Sequence, residues 1–219
     1  MAALTVALGA CSSAQTPAAP EEAPAASAPA SEPAEATSES VAPGASGVTQ
    51  ISDIFGPGCS QVPTEGEGSA QGMVDDPVAT AASNNPLLTT LVKAVTAAKL
   101  GDTLNSAEAI TVFAPADTAF QDLETKSPGT INKLTTDPNV ASADSQLATI
   151  LKYHVVGQRY DAAGLVEAGT VETLQGGQVR IAGTPEAPTV NGAQVLCGNI
   201  PTKNATVFVI GQVLTPPTS

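Results

Sequence analysis

Between residues 12 and 47 the chain lacks nearly everything from which a core is built. Those 36 residues hold 12 Ala, 6 Pro, 7 Ser and 5 Glu, no Lys, Arg or aromatic residue, and a single large apolar side chain, Val41. Such a stretch cannot bury enough apolar area to offset the entropy of ordering its backbone, so it is expected to be a disordered tether. Stretched as polyproline II it would reach about 110 Å. Everything that can fold is thereby confined to 48–219, which carries every aromatic and every positive charge of the 219-residue chain. That length supports one real core without metal or multiple staples.

Charge narrows the partners. Eight Lys+Arg stand against 21 Asp+Glu, a net charge of −13, and 16 of the acids lie within 48–219. Binding to a phosphate backbone needs clustered cations that release counterions, and adhesion to anionic lipid needs a polybasic face. Neither is present in this composition, so no nucleic acid is expected. No apolar run approaches the roughly 18 residues of a membrane span.

Residues 1–10 form an apolar, signal-like segment ending Leu8-Gly9-Ala10, and Cys11 follows it, leading straight into the Ser- and Ala-rich stretch. Small residues before a Cys resemble a lipoprotein signal, in which the freed cysteine is acylated; Cys11 is the expected lipid attachment point. A charged n-region is missing, since no Lys or Arg precedes Lys93, so the N-terminus is expected to be truncated or its start misassigned. With Cys11 assigned, Cys59 and Cys197 remain, and an exported protein is expected to join them as a disulfide. Metal binding is the competing reading, but two lone cysteines and a distant His lack zinc spacing.

Local signals describe an α+β chain. Asn85-Pro86 reads as an N-cap with Pro at the first helical position, and Leu88, Leu91, Val92 and Val95 make one apolar face, with Gly101 as the stop. A second helix is expected over 144–153, capped by Asp144, and a short third from Asp161. Strands are expected at 110–114, at 170–174 and 178–182 around Gly176-Gly177, and at 189–190 and 195–196 around Asn191-Gly192. A last one is expected over 206–214. Helices dominate the first half and hairpins the second.

No recognised catalytic or cofactor motif is found: there is no nucleophile elbow, P-loop, dinucleotide fingerprint or Cys-x-x-Cys. No cofactor and no metal site is expected. A hydrolase would have to use His154, the single histidine, whose apolar neighbours point instead to a buried structural role. Asp75-Asp76 read as a helix start, where negative charge suits the dipole. Asn204-Ala205-Thr206 fits an N-glycosylation acceptor, but a bacterial-style lipoprotein makes it irrelevant.

Four segments together resemble the fasciclin (FAS1) domain family. Thr111-Val112-Phe113-Ala114-Pro115-Ala116-Asp117-Thr118-Ala119-Phe120 is similar to its first signature and Leu151-Lys152-Tyr153-His154-Val155-Val156 to its central Tyr-His motif. Val207-Phe208-Val209-Ile210-Gly211-Gln212-Val213-Leu214-Thr215-Pro216 resembles the closing signature, and Asn85-Pro86-Leu87-Leu88 sits where the early helix belongs. The stretch from Asp76 to Pro86 looks like the secreted and lipid-anchored fasciclin antigens of mycobacteria, in which a cysteine pair also ties the segment before the domain to its C-terminal part. Gly211 departs from the Asp usual in the closing signature. The resemblance implies a single domain over 48–219, with two β-sheets in a wedge and a helical layer, that serves adhesion or protein recognition without catalysis. In animal relatives the Tyr-His segment is tied to integrin binding, which nominates Tyr153 and His154, although Ile150, Leu151, Val155 and Val156 around them favour burial.

The function expected is a lipid-anchored module on the extracellular face of the cell membrane. It would recognise extracellular or host proteins, or glycans, and touch the membrane through its lipid alone. The alternatives are an envelope carrier of small molecules or lipids, with an apolar pocket between helices and sheet, and a freely secreted antigen. For the carrier, 42% hydrophobic residues with 3% aromatic show no apolar surplus.

Overall fold

The computed structural model describes residues 47–217; Cys11, the signal-like segment and the tether up to residue 46 lie outside them. Four short helices come first: α1 (Ala70–Met73), α2 (Val78–Asn84), α3 (Thr89–Ala97) and α4 (Gly101–Ser106). Strand β1 (Ile110–Pro115) follows, then α5 (Asp117–Lys126), α6 (Thr130–Thr136) and α7 (Gln146–Tyr153). The two-residue β2 (Val155–Val156) and α8 (Ala162–Ala168) lead to β3 (Thr170–Glu172), β4 (Gln178–Thr184), β5 (Ala187–Val190), β6 (Ala193–Pro201) and β7 (Ala205–Ile210).

The strands hydrogen-bond in the order β2-β1-β7-β6-β5-β4-β3. Only β1 and β7 run parallel, in register from Ile110 opposite Ala205 to Pro115 opposite Ile210. The expected α+β architecture is therefore present, and the two sheets are the arms of one ladder. The ladder bends at β6, where register shifts fall between Val195 and Cys197 and again before Ile200; an extra residue in one strand turns it and raises its local twist. A bridge between Val156 and Thr173, with the Leu174 N–H donating to the Val155 carbonyl at 2.7 Å, joins the two outer ends nearly into a ring.

Both β1 and β7 are buried along their whole length, as a parallel pair covered on both faces must be. Their alternating side chains feed two cores. Ile110, Val112, Ala114, Ala205, Val207 and Val209 face α2, α3, α5 and α7. Phe113, Phe208 and Ile210 face the curl of the ladder, with Val179, Ile181, Val190 and Leu165 of α8. The two phenylalanine rings lie 6.0 Å apart and tilted, a favourable aromatic geometry.

Several ends differ from the sequence reading for identifiable reasons. Gly101 opens α4 rather than stopping the preceding helix, because Lys99, with φ of 53°, supplies the left-handed residue after α3. Ser145, not Asp144, caps α7, accepting from the Ala148 N–H at 3.1 Å. Asp161 does cap α8, accepting from Gly164 at 2.7 Å. Asn191 (φ 49°) and Gly192 (φ 82°) turn β5 into β6, as a two-residue hairpin requires.

Candidate functional site

Helix α7 positions the Tyr-His pair. Leu147, Ala148 and Leu151 bury one side of it, and its last turn closes with the His154 N–H donating to Leu151. Tyr153 is 2% and His154 3% exposed, so neither is displayed to a partner; their nomination as binding residues is corrected to a structural one. The Tyr153 hydroxyl donates to the Gln178 carbonyl at 2.9 Å and accepts from the Asn191 side-chain amide at 2.9 Å. It thereby ties α7 to both hairpins. His154 bridges in the other direction: Nδ1 faces the Ile150 carbonyl at 2.8 Å, and Nε2 accepts from the Leu214 N–H at 2.9 Å. An amide can only donate, so Nε2 is bare and Nδ1 carries the proton. Burial lowers the imidazole from its ordinary 6.5 to about 4, against a small upward pull from the Ile150 carbonyl. With both nitrogens occupied by backbone, the hydrolase reading has no imidazole to use.

Cys59 and Cys197 form a disulfide with a sequence separation of 138. It fastens residues 47–62 onto β6, where Phe55 also bridges Gly198. A Cβ on residue 198 would run into the Phe55 ring and force it to shift. Asp75 and Asp76 precede α2 without capping it. The Val78 N–H is instead taken by Asn204 at 2.9 Å and the Ala79 N–H by Asn105 at 2.9 Å. Asn204, 7% exposed, also donates to the carbonyls of Leu104 at 2.8 Å and Ala107 at 2.7 Å. Its sequon is thus buried in the fold. Gly211 has room for a side chain, since a Cβ there would meet Leu196 at 3.6 Å. Among the described residues no three His, Cys, Asp or Glu side chains could hold a metal, and no helix is long and apolar enough to cross a membrane.

The feature that could receive a ligand is a cavity of about 550 Å³ between the helical layer and the β2 end of the ladder. Its walls come from α2, α3 and α4 on one side and from Val112, Leu151 and Val155 on the other. Sequence reasoning named a pocket between helices and sheet only for the carrier alternative, and discounted it because the composition showed no apolar surplus. The aliphatic residues are spread over six elements, and nothing in the overall hydrophobic share marks those that meet around empty space.

Comparison with known proteins places this geometry. The profile of the family described as "Fasciclin domain" matches residues 86–216. The chain is 45% identical over 174 residues to "Immunogenic protein MPB70" of Mycobacterium bovis, covering 75% of this chain and 83% of that protein. It is 42% identical over 173 residues to "Cell surface glycolipoprotein MPB83" of the same organism, covering 75% and 73%. Among solved structures it is similar to the FAS1 domain pair of the insect cell adhesion molecule Fasciclin I. The TM-score there is 0.57 at 19% identity; the match covers 66% of this chain and spans about half, 52%, of that one.

Proposed function

The chain belongs to the fasciclin domain family, and we propose that it is a lipid-anchored recognition module of the cell envelope, held out on a tether. The observation that carries this reading is Cys11, set behind Leu8-Gly9-Ala10 and ahead of 36 residues that cannot form a core. The 42% identity to a protein named a cell surface glycolipoprotein supports it. Recognition rather than catalysis fits a chain whose single imidazole is committed to two backbone bonds. Its partners are extracellular or host proteins, or glycans. The excess of acid favours basic protein surfaces, with attraction expressed mainly in the association rate.

Expression in a mycobacterial host with the complete native leader, followed by intact mass and detergent phase partitioning, tests the anchor. A mature form beginning at Cys11, heavier by acyl chains and found in the detergent phase, is expected. An unacylated form in the aqueous phase would replace this reading with a freely secreted fasciclin protein.

A further inference from the structure

We propose that the cavity beside β2 binds one long unbranched acyl chain as its free acid, with the carboxylate at Lys152. The size is right: about 550 Å³ lies well inside the range of roughly 300–1,000 Å³ in which small molecules are bound. The lining is right as well. Val78, Leu91, Leu104, Val112, Val155 and Leu174 turn hydrocarbon towards the space, and a concave site lined mainly by aliphatic side chains suits an apolar guest.

The cavity is built rather than left over. Protein interiors close-pack unless something holds them apart, and here the struts are polar. Asn204 bonds the first turn of α2 and the last turn of α4 to the start of β7, and Asn105 bonds α4 to α2 through the Ala79 N–H and the Thr80 hydroxyl. Collapse of α2 and α4 onto β1 would strain these bonds, and the buried one from the Val78 N–H to Asn204 is expensive to leave unmade.

At the mouth stands Leu174, 45% exposed although its backbone is pinned to Val155. It is a large apolar side chain held in water beside an apolar cavity, and a bound chain would cover it. Lys152 is half-buried at the rim; its ammonium gives one hydrogen to the Ala143 carbonyl at 2.8 Å, which leaves two for a carboxylate. Asp102, exposed on α4, also reaches the rim, so discrimination for the acid rests on contact with Lys152 and not on a general positive field.

The full chain contains no tryptophan, so Leu174→Trp places a sole reporter at the mouth. Titration with oleate should shift its emission to the blue and saturate at one oleate per chain, with native mass spectrometry of the unaltered protein giving the same stoichiometry. Adding Ala82→Phe, which fills the cavity from α2, should weaken binding about tenfold, as expected when a pair of methylenes is displaced from apolar contact. Thr135→Phe, in a neighbouring cavity of about 260 Å³ that lies across Leu151 and His154, should leave binding unchanged. Lys152→Met should abolish the preference for oleate over methyl oleate. Absence of a saturable shift and of a one-to-one complex overturns the site. So does equal weakening by Ala82→Phe and Thr135→Phe in variants that keep their melting temperature. An ester bound as tightly as the acid by the unaltered chain overturns the role of Lys152.

Discussion

Lowering the pH should reveal how deeply His154 is built into the fold. In the folded chain its imidazole is held neutral, titrating at about 4, whereas an unfolded histidine titrates near 6.5. The unfolded chain therefore takes up the proton first. The stability contributed by the neutral ring is complete above pH 6.5 and is lost as the pH falls towards 4, where the folded form begins to protonate and the loss levels off. The cause is geometric: a proton on Nε2 would face the Leu214 N–H at 2.9 Å and turn an acceptor into a second donor. Integrated from pH 7 to pH 4, the difference in proton binding amounts to about 3 kcal/mol, a sizeable part of the 5–15 kcal/mol of a typical domain. Urea unfolding of the wild type and of His154→Gln at matched pH is the assay. Carboxylate titrations are common to both and cancel, and since the chain has one histidine the difference curve is the titration of His154 alone. The variant should be less stable at pH 7 and should close most of that gap by pH 4. A gap that stays constant with pH, or an imidazole NMR signal titrating near 6.5, would refute the buried neutral bridge.

Three further outcomes follow from the same bonds. Asn204→Ala removes the partner of the Val78 N–H and of the Leu104 and Ala107 carbonyls; chemical denaturation should show a loss of about 3 kcal/mol. Asp117 accepts from the Thr89 hydroxyl at 2.6 Å and the Thr90 N–H at 2.8 Å, capping α3 from the first residue of α5, and Asp117→Ala should lower stability by about 1 kcal/mol. Burial would raise that carboxyl, but the hydrogen bonds from Thr89 and Thr90 outweigh it and hold it below its ordinary value. Its contribution is therefore present above the usual carboxylate range and fades as acid protonates it, so wild type and variant should converge at low pH. Reduction of Cys59–Cys197, a separation of 138 residues, should destabilise by about 5 kcal/mol in the chain-entropy account; an unchanged denaturation midpoint in reductant would contradict it.

What the sequence made legible was local. Asn191-Gly192 announces its hairpin because the turn needs two positive φ angles, and Asp161 announces α8 because its carboxylate reaches Gly164. The signatures around Phe113, Tyr153 and Phe208 named the fold. Helices α5 and α6 escaped notice because they present few apolar residues, Phe120, Leu123, Ile131 and Leu134, too sparse to read as a stripe. The caps of α2 escaped for another reason: they come from Asn105 and Asn204, the latter 126 residues away from the amide it satisfies. Nor does any local pattern announce that β1 lies parallel to β7, a pairing settled only when both strands are covered on two faces. The cavity shares this character, since it exists only where distant aliphatic residues fail to meet.

The bond between Cys59 and β6 also sets how the domain would bear mechanical load. Tension applied from the N-terminal side reaches residue 59 and passes covalently to residue 197, bypassing everything between. Helices α1 to α8 and strands β1 to β5 then carry no axial pull. Only the short stretch before Cys59 can peel, including the Phe55–Gly198 bridge, together with the segment beyond Cys197 that contains β7. A domain towed by its N-terminal end would extend by about 10 nm at most, at the reach of an extended chain, and then hold; it would surrender the rest of its length only after the sulfur–sulfur link was cut.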